Sequence, residues 1–268
     1  MPTLFNFRKE LKLKADPKKA KILQRFFKTG KGEYGEGDMF LGISVPEIRK
    51  IARKYSDLKL KEISELLKSK IHEERVAALR ILVNQFQGTM LKHSVMLKHN
   101  TQAGDKIFNF YLKNTKYINN WDLVDLSAPK IVGEYLLDKP KIIRYKLLRQ
   151  LAESKNLWER RIAILATYAF IKKNQFKETL KIAEKMLPTL RPSRRRSGPR
   201  PPQGVGVLNG NHDLIHKAVG WMLREVGKKS QKTLEKFLKK NASKMPRVML
   251  RYAIERLPEE KRREYLKN

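Results

Sequence analysis

The stretch Asn119-Asn120-Trp121-Asp122-Leu123-Val124-Asp125 gathers the residue types best able to do chemistry in this sequence. Asn119 or Asn120 suits a helix N-cap, because a short side-chain oxygen can accept a first-turn amide. A helix starting there sets Trp121 and Asp125 four residues apart on one face, so an indole lies beside a carboxylate. The carboxylate attracts cations by charge and the indole face by its quadrupole. Such a pair suits a substrate that is itself positive, for example an alkylated purine held on a DNA backbone. The same residues also fit a bland arrangement, with Trp121 in the core and Asp125 capping or ion-paired, since tryptophan is mostly buried. The other two tryptophans stand near arginines, in Leu157-Trp158-Glu159-Arg160-Arg161 and Gly220-Trp221-Met222-Leu223-Arg224.

Two further patterns carry less. His212 and His216 have the i, i+4 spacing of a metal pair, but HDLIH lacks the glutamate of HExxH and no third ligand is evident, so no metal is expected. Gly30, Gly32, Gly35 and Gly37 resemble a phosphate loop, yet neither a preceding strand nor a following GK[ST] is present. They read as a turn between helices.

The 268 residues carry 60 Lys+Arg against 27 Asp+Glu, a formal net charge of +33. So large an excess needs an anionic partner, and nucleic acid is favoured because each neutralised phosphate releases condensed counterions. An anionic membrane surface is the competing partner, but it calls for one amphipathic helix, whereas the basic residues here are spread along the whole chain. The absence of cysteine excludes disulfides, thiol nucleophiles, iron-sulfur clusters and Cys-ligated zinc, and it suits a reducing compartment. The start lacks the apolar core of a signal peptide and no 18-residue apolar run occurs, so a cytoplasmic location without membrane spanning is expected.

The elements that must position these residues read as helices. Apolar residues recur at three- and four-residue steps, as in Ile48, Ile51, Ala52 and Tyr55, then Val76, Leu79, Leu82, Val83 and Phe86. Ser44-Val45-Pro46-Glu47 has the form of a capping box that starts a helix near Val45. Further helices are predicted near 18–29, 58–69, 71–87, 105–116, 120–137, 140–152, 157–172, 175–187, 212–228, 231–241, 245–256 and 258–267. About 12 to 14 short helices on tight links predict an all-α chain, a curved right-handed α-solenoid of HEAT-like helical-hairpin repeats forming a single domain over 1–268.

Two segments interrupt it. From Arg75 to Gly104 no acidic residue occurs, and the part near 88–104, with MLKH twice, reads as an inserted loop or weak helix. The stretch near 189–211 holds RPSRRRSGPRPPQGVGVLNGN, too rich in proline for a helix, and reads as a second inserted loop.

In combination these features resemble the AlkD-type, HEAT-like-repeat DNA alkylation-repair glycosylases. The resemblance lies in YGEGDMFLGISVPEIRKIA (34–52), NNWDLVDLSAPKIVG (119–133), LWERRIAIL (157–165), HKAVGWMLREVGK (216–228) and MPRVMLRYAIERLPEEKR (245–262). It implies that Asp125 is the catalytic carboxylate, that Trp121 meets the deoxyribose of the damaged nucleotide, and that Trp221 forms a second aromatic wall. It assigns DNA contacts to Arg161 and Arg224, and with them Arg160, Lys217 and Trp158, which flank these motifs. The implied activity is excision of cationic N3- or N7-alkylpurines from double-stranded DNA by a monomer with no cofactor and no base flipping. A different class fits the charge alone, a non-catalytic nucleic-acid-binding scaffold in which the WDxxD helix is structural.

Overall fold

A computed structural model describes residues 3–95, 101–187 and 212–267. Among them every extended regular element is helical, as predicted, and the only strand-like pairing is an isolated parallel bridge between Met39 and Ile71. Where the sequence suggested one continuous domain, the packing forms two compact units, one built from residues through Ile131 and one from Val132 onward.

The first unit holds α1 (Leu4–Lys12), α2 (Pro17–Phe26), α3 (Val45–Lys54), α4 (Leu60–Leu67), α5 (His72–Val95), α6 (Thr101–Lys113) and α7 (Trp121–Ala128). α3, α4, α6 and α7 all pack on α5, and α1 packs on α3. α1 was not anticipated. Thr3 caps it by accepting the Asn6 amide, and Phe7 and Leu11, one turn apart, are fully buried. α3 starts where expected, but the reciprocal capping box does not form: the Ser44 hydroxyl donates to the Glu47 carboxylate at 3.0 Å and caps no backbone amide.

Of the two readings of the part near 88–104, loop or weak helix, the described residues take the helical one: α5 runs on through Gly88 to Val95 and α6 begins at Thr101. No proline interrupts this run, Gly88 stands in open space, and the Thr89 hydroxyl donates to the Phe86 carbonyl. A mid-helix glycine costs only about 1 kcal/mol relative to alanine, too little to end a helix packed on its neighbours. The second predicted insertion, 189–211, lies outside the described residues.

The second unit holds α8 (Glu134–Leu137), α9 (Lys141–Ala152), α10 (Leu157–Ala166), α11 (Tyr168–Lys172), α12 (Lys177–Lys185), α13 (Asp213–Lys229), α14 (Gln231–Asn241), α15 (Arg247–Ile254) and α16 (Glu259–Lys267). The single helix predicted over 120–137 is instead two, since α7 stops before Pro129 and the chain widens into a π-helical stretch, Pro129–Gly133, ahead of α8. The one predicted over 157–172 divides at Thr167, whose hydroxyl donates to the Ile164 carbonyl. α13 is the central element and packs on α10, α12, α14 and α15. In both units each helix lies mainly against helices close to it in sequence, the packing of a helical-repeat fold.

Candidate nucleic-acid interface and active site

In the first unit, α7 is turned by its own burial pattern. Leu123, Val124, Ser127 and Ala128 are buried, which leaves Trp121, Asp122 and Asp125 on the half-exposed side of the helix. Asn120 is the N-cap, its side-chain oxygen accepting the Trp121 amide at 2.8 Å. Trp121 and Asp125 are both half-buried, so the indole is not sealed in the core. Asp125 also reaches inward electrostatically. Burial chiefly, with the Asp125 carboxylate adding to it, pushes the fully buried Tyr111 hydroxyl well above its ordinary range.

The indole is held from several sides. Phe27 stacks on it with centroids 5.2 Å apart and planes 15° apart, and Phe26 meets it edge-on at 5.9 Å. Trp121 Nε1 donates to the Tyr34 hydroxyl at 3.3 Å. Each aromatic pair contributes about 0.5–1.5 kcal/mol beyond its buried area, enough to fix one indole orientation. Tyr34 comes from the glycine-rich turn, which is an inter-helix turn as predicted. Glu33 and Glu36 accept the Gly30 and Gly32 amides, and a Cβ on Gly35 would lie 2.6 Å from the Phe27 carbonyl oxygen.

Beneath the indole lies a charged network that the sequence did not announce. His72, 2% exposed at the start of α5, donates from Nε2 to Asp122 Oδ2 at 2.8 Å. Its Nδ1 stands 3.4 Å from Asp38 Oδ2 and 3.1 Å from Arg75 Nη2, and Arg75 also pairs with Asp38. The imidazole stacks on Phe40 at 4.6 Å and tilts against Phe27 at 5.0 Å. The bridge at Met39, whose carbonyl accepts the His72 amide, brings Asp38 alongside. Burial opposes the charged imidazole, but the charge of Asp122 and the hydrogen bonds that Asp122 and Asp38 accept from it outweigh burial, so the His72 pKa lies above its ordinary 6.5. Burial likewise opposes the Asp38 carboxylate, yet His72 and Arg75 hold its pKa below the usual value. Both oxygens of Asp122 are committed, Oδ2 to His72 and Oδ1 to the Leu123 amide. Asp122 is therefore a positioning group for the first turn of α7.

The second unit carries the other expected residues. Trp221 is half-exposed on α13 and donates from Nε1 to Glu225 at 3.2 Å. Arg224 pairs with Glu255 and lies 3.8 Å from Glu225, while Lys217 bridges Asp213 at 2.6 Å on the surface. Trp158, Arg160 and Arg161 have a different geometry from the DNA-facing one expected. α10 is buried along almost its whole length, and these side chains are 7%, 7% and 5% exposed. Their burial forces the guanidinium groups to find acceptors. Arg160 donates to the Ser154 and Lys155 carbonyls, and Arg161 to the Leu214 carbonyl at the start of α13. His212 caps α13 by accepting the Leu214 amide, and His216 is buried.

Trp221 is set by the glycine before it. A Cβ on Gly220 would stand 2.5 Å from the Met249 carbonyl oxygen and 2.5 Å from Tyr252 Cβ, so only glycine lets α13 lie this close to α15. Gly220→Ala is expected to cost about 1–3 kcal/mol through overpacking and to displace Trp221. A thermal melt together with the Trp221 emission maximum, read in a Trp121→Phe, Trp158→Phe background, checks both effects; an unchanged melt and emission would contradict this packing.

Near-neighbour helix packing of this kind is the architecture of a helical-repeat protein. A family model described as DNA alkylation repair enzyme matches residues 7–191 and 206–257, and the chain belongs to that family. A solved structure described as a predicted DNA alkylation repair enzyme from Enterococcus faecalis shares the fold, with a TM-score of 0.58 over 92% of this chain and 98% of that one at 14% identity. A search of curated proteins finds no match. Among the described residues no helix is long and apolar enough to cross a membrane.

Proposed function

We propose that the protein is a monofunctional DNA glycosylase of base-excision repair, acting as a cytoplasmic monomer that hydrolyses the N-glycosidic bond of cationic N3- or N7-alkylated purines in duplex DNA. The carrying observation is the outward set of Trp121 with Asp125 one turn on, the indole being fixed by Phe27 and Tyr34. Alkylation at N3 or N7 leaves the purine positive, so it departs neutral and charge passes to the sugar. A carboxylate and an indole face both stabilise an oxocarbenium-like deoxyribose, and Asp125 can also orient the attacking water. The substrate brings its own activation, so no strong general acid is needed, and the nucleotide can be met from the backbone side without flipping the base. On the second unit, Trp221, Arg224 and Lys217 serve as further DNA contacts. The buried Arg160 and Arg161 support the elements that carry them.

The chemistry predicts selectivity by charge. Single-turnover assays on duplexes with one N7-methylguanine or one hypoxanthine, a neutral purine, are expected to release the first and leave the second bound. Comparable release of the neutral base would contradict stabilisation that depends on a cationic leaving group.

A further inference from the structure

Every other helix of the first unit buries side chains, whereas no residue of α2 is buried and only Ala20, Leu23 and Gln24 are half covered. A helix with no buried face needs another means of attachment. Here it is backbone. The Asp16 amide donates to the Leu41 carbonyl at 2.8 Å. A Cβ on Gly42, whose φ is +82°, would collide with the Asp16 carbonyl oxygen and lie 2.6 Å from the Ala20 nitrogen, so only glycine lets this segment run against the first turn of α2. Phe27, just past the end of the helix, stacks on Phe40 and on Trp121. α2 is thus fixed in place without the use of its outer side chains.

Those outer side chains have a distinct chemistry. Lys18, Ile22, Arg25 and Phe26 follow one another at helical steps on the side opposite Ala20 and Gln24, and Ile22 and Phe26 are 67% and 61% exposed. α2 carries four cations, Lys18, Lys19, Lys21 and Arg25, and no acid. The adjoining Asp16 is engaged by the Lys18 and Lys19 amides and by Lys19 Nζ at 3.2 Å. Phe26 meets Trp121 edge-on, so a molecule that covers the outer side of α2 reaches the indole as well. We propose that α2 is a DNA-docking helix: Lys18, Lys21 and Arg25 neutralise phosphates of the strand that passes Trp121, and Ile22 and Phe26 lie against its deoxyribose rings. Phosphates alternate with apolar sugar faces along a strand, and a basic helix with two exposed apolar side chains matches that alternation. A second copy of so basic a chain would be repelled from this face, and two apolar side chains make a narrow footing for a lipid surface. The inference rests on the DNA strand that the proposed function sets at Trp121 and extends it to the flanking nucleotides. It needs DNA binding and not base release.

The chain has no cysteine, so Ile22→Cys sets a single thiol on the outer side of α2. Its reaction with N-ethylmaleimide is expected to slow about tenfold under saturating duplex DNA, as the contact excludes solvent, and to be unchanged by phosphatidylserine vesicles. The variant Lys18→Gln/Lys21→Gln/Arg25→Gln should flatten the log-log salt slope of duplex binding by about two to three while its thermal melt stays that of wild type. Ile22→Ser, which leaves every contact of Trp121 in place, should weaken duplex binding by about threefold to tenfold. Full thiol reactivity under saturating duplex, or an unchanged salt slope in the triple variant, overturns the docking helix. Protection by vesicles and not by DNA gives the face to a lipid surface, and protection on raising the protein concentration alone, with a doubled mass in sedimentation, gives it to a second copy; either result overturns the docking helix too. Protection of the thiol by duplex in a protein that releases no base sinks the glycosylase reading and supports the docking helix.

Discussion

Asp125→Asn is expected to slow release of N7-methylguanine from duplex DNA by about 10²–10³-fold, the scale set by removing one preorganised electrostatic group from a transition state. Affinity for the same duplex should change little. A carboxylate among bound phosphates stabilises charge that exists only as the glycosidic bond breaks, so its loss falls on the rate of excision and spares ground-state binding. Asparagine keeps the size and hydrogen-bonding capacity of the side chain, which separates charge from shape. Asp122→Asn is the informative partner. Because both Asp122 oxygens are committed within the protein, its substitution should loosen Trp121 and lower thermal stability as well as activity. Equal excision by wild type and Asp125→Asn would return the WDxxD helix to a structural role.

His72→Leu is expected to be the most destabilising single change in the first unit. It leaves Asp38 buried with only Arg75 to balance it and frees Asp122 toward solvent. Breaking a buried ionic network costs about 3–5 kcal/mol, and the lower end applies because the Asp122 side chain is 23% exposed. At about 3 kcal/mol the melting temperature falls by roughly 6 to 12 °C. The sign with pH follows from the direction of each shift. The His72 pKa is raised, so its contribution is fully present below its ordinary 6.5 and is lost as pH rises through the higher folded value. The Asp38 pKa is lowered, so its contribution is present above 3.8 and is lost as pH falls through the lower folded value. The gap in melting temperature between wild type and His72→Leu should therefore be widest between about pH 4 and 6.5 and should narrow toward pH 9. In the neutral imidazole Nε2 still donates to Asp122 while Nδ1 accepts from Arg75, so the geometry can survive after the Coulombic attraction is gone. A gap that stays constant from pH 5 to 9 would show that His72 acts by packing alone.

Much of the architecture was legible because helices announce themselves locally. The three- and four-residue recurrence of apolar residues, Asn120 as a cap and Pro46 at the start of α3 are signals within a single turn or two. α1 was missed although Thr3, Phe7 and Leu11 carry the same cap and spacing, in a segment whose charged residues dilute the pattern. The acid-free run after Arg75 looked in part like an insertion, but composition is a weak guide where no proline intervenes, and α5 carries on past Gly88 to Val95.

The site was legible only where it is contiguous. Trp121 and Asp125 share one helix and could be paired by counting. The network of Asp38, His72, Arg75 and Asp122 joins three segments far apart in the chain, and Tyr34 reaches Trp121 across 87 positions. Nothing in HEER or YGEG states that these residues meet. Trp158 and Trp221, each near arginines, looked equivalent in sequence, yet α10 is hemmed in by α9, α12 and α13 and so Trp158 belongs to the core. Spacing says which side chains share a face, whereas only tertiary packing says whether that face is covered.

The account rests most directly on a time course of base release. Duplex DNA carrying a single N7-methylguanine, incubated with excess wild-type protein, should yield free base in a first-order burst well above spontaneous depurination and leave an abasic site with the strand unbroken. Release at the spontaneous rate, from a protein that binds the duplex and melts cooperatively, would contradict it.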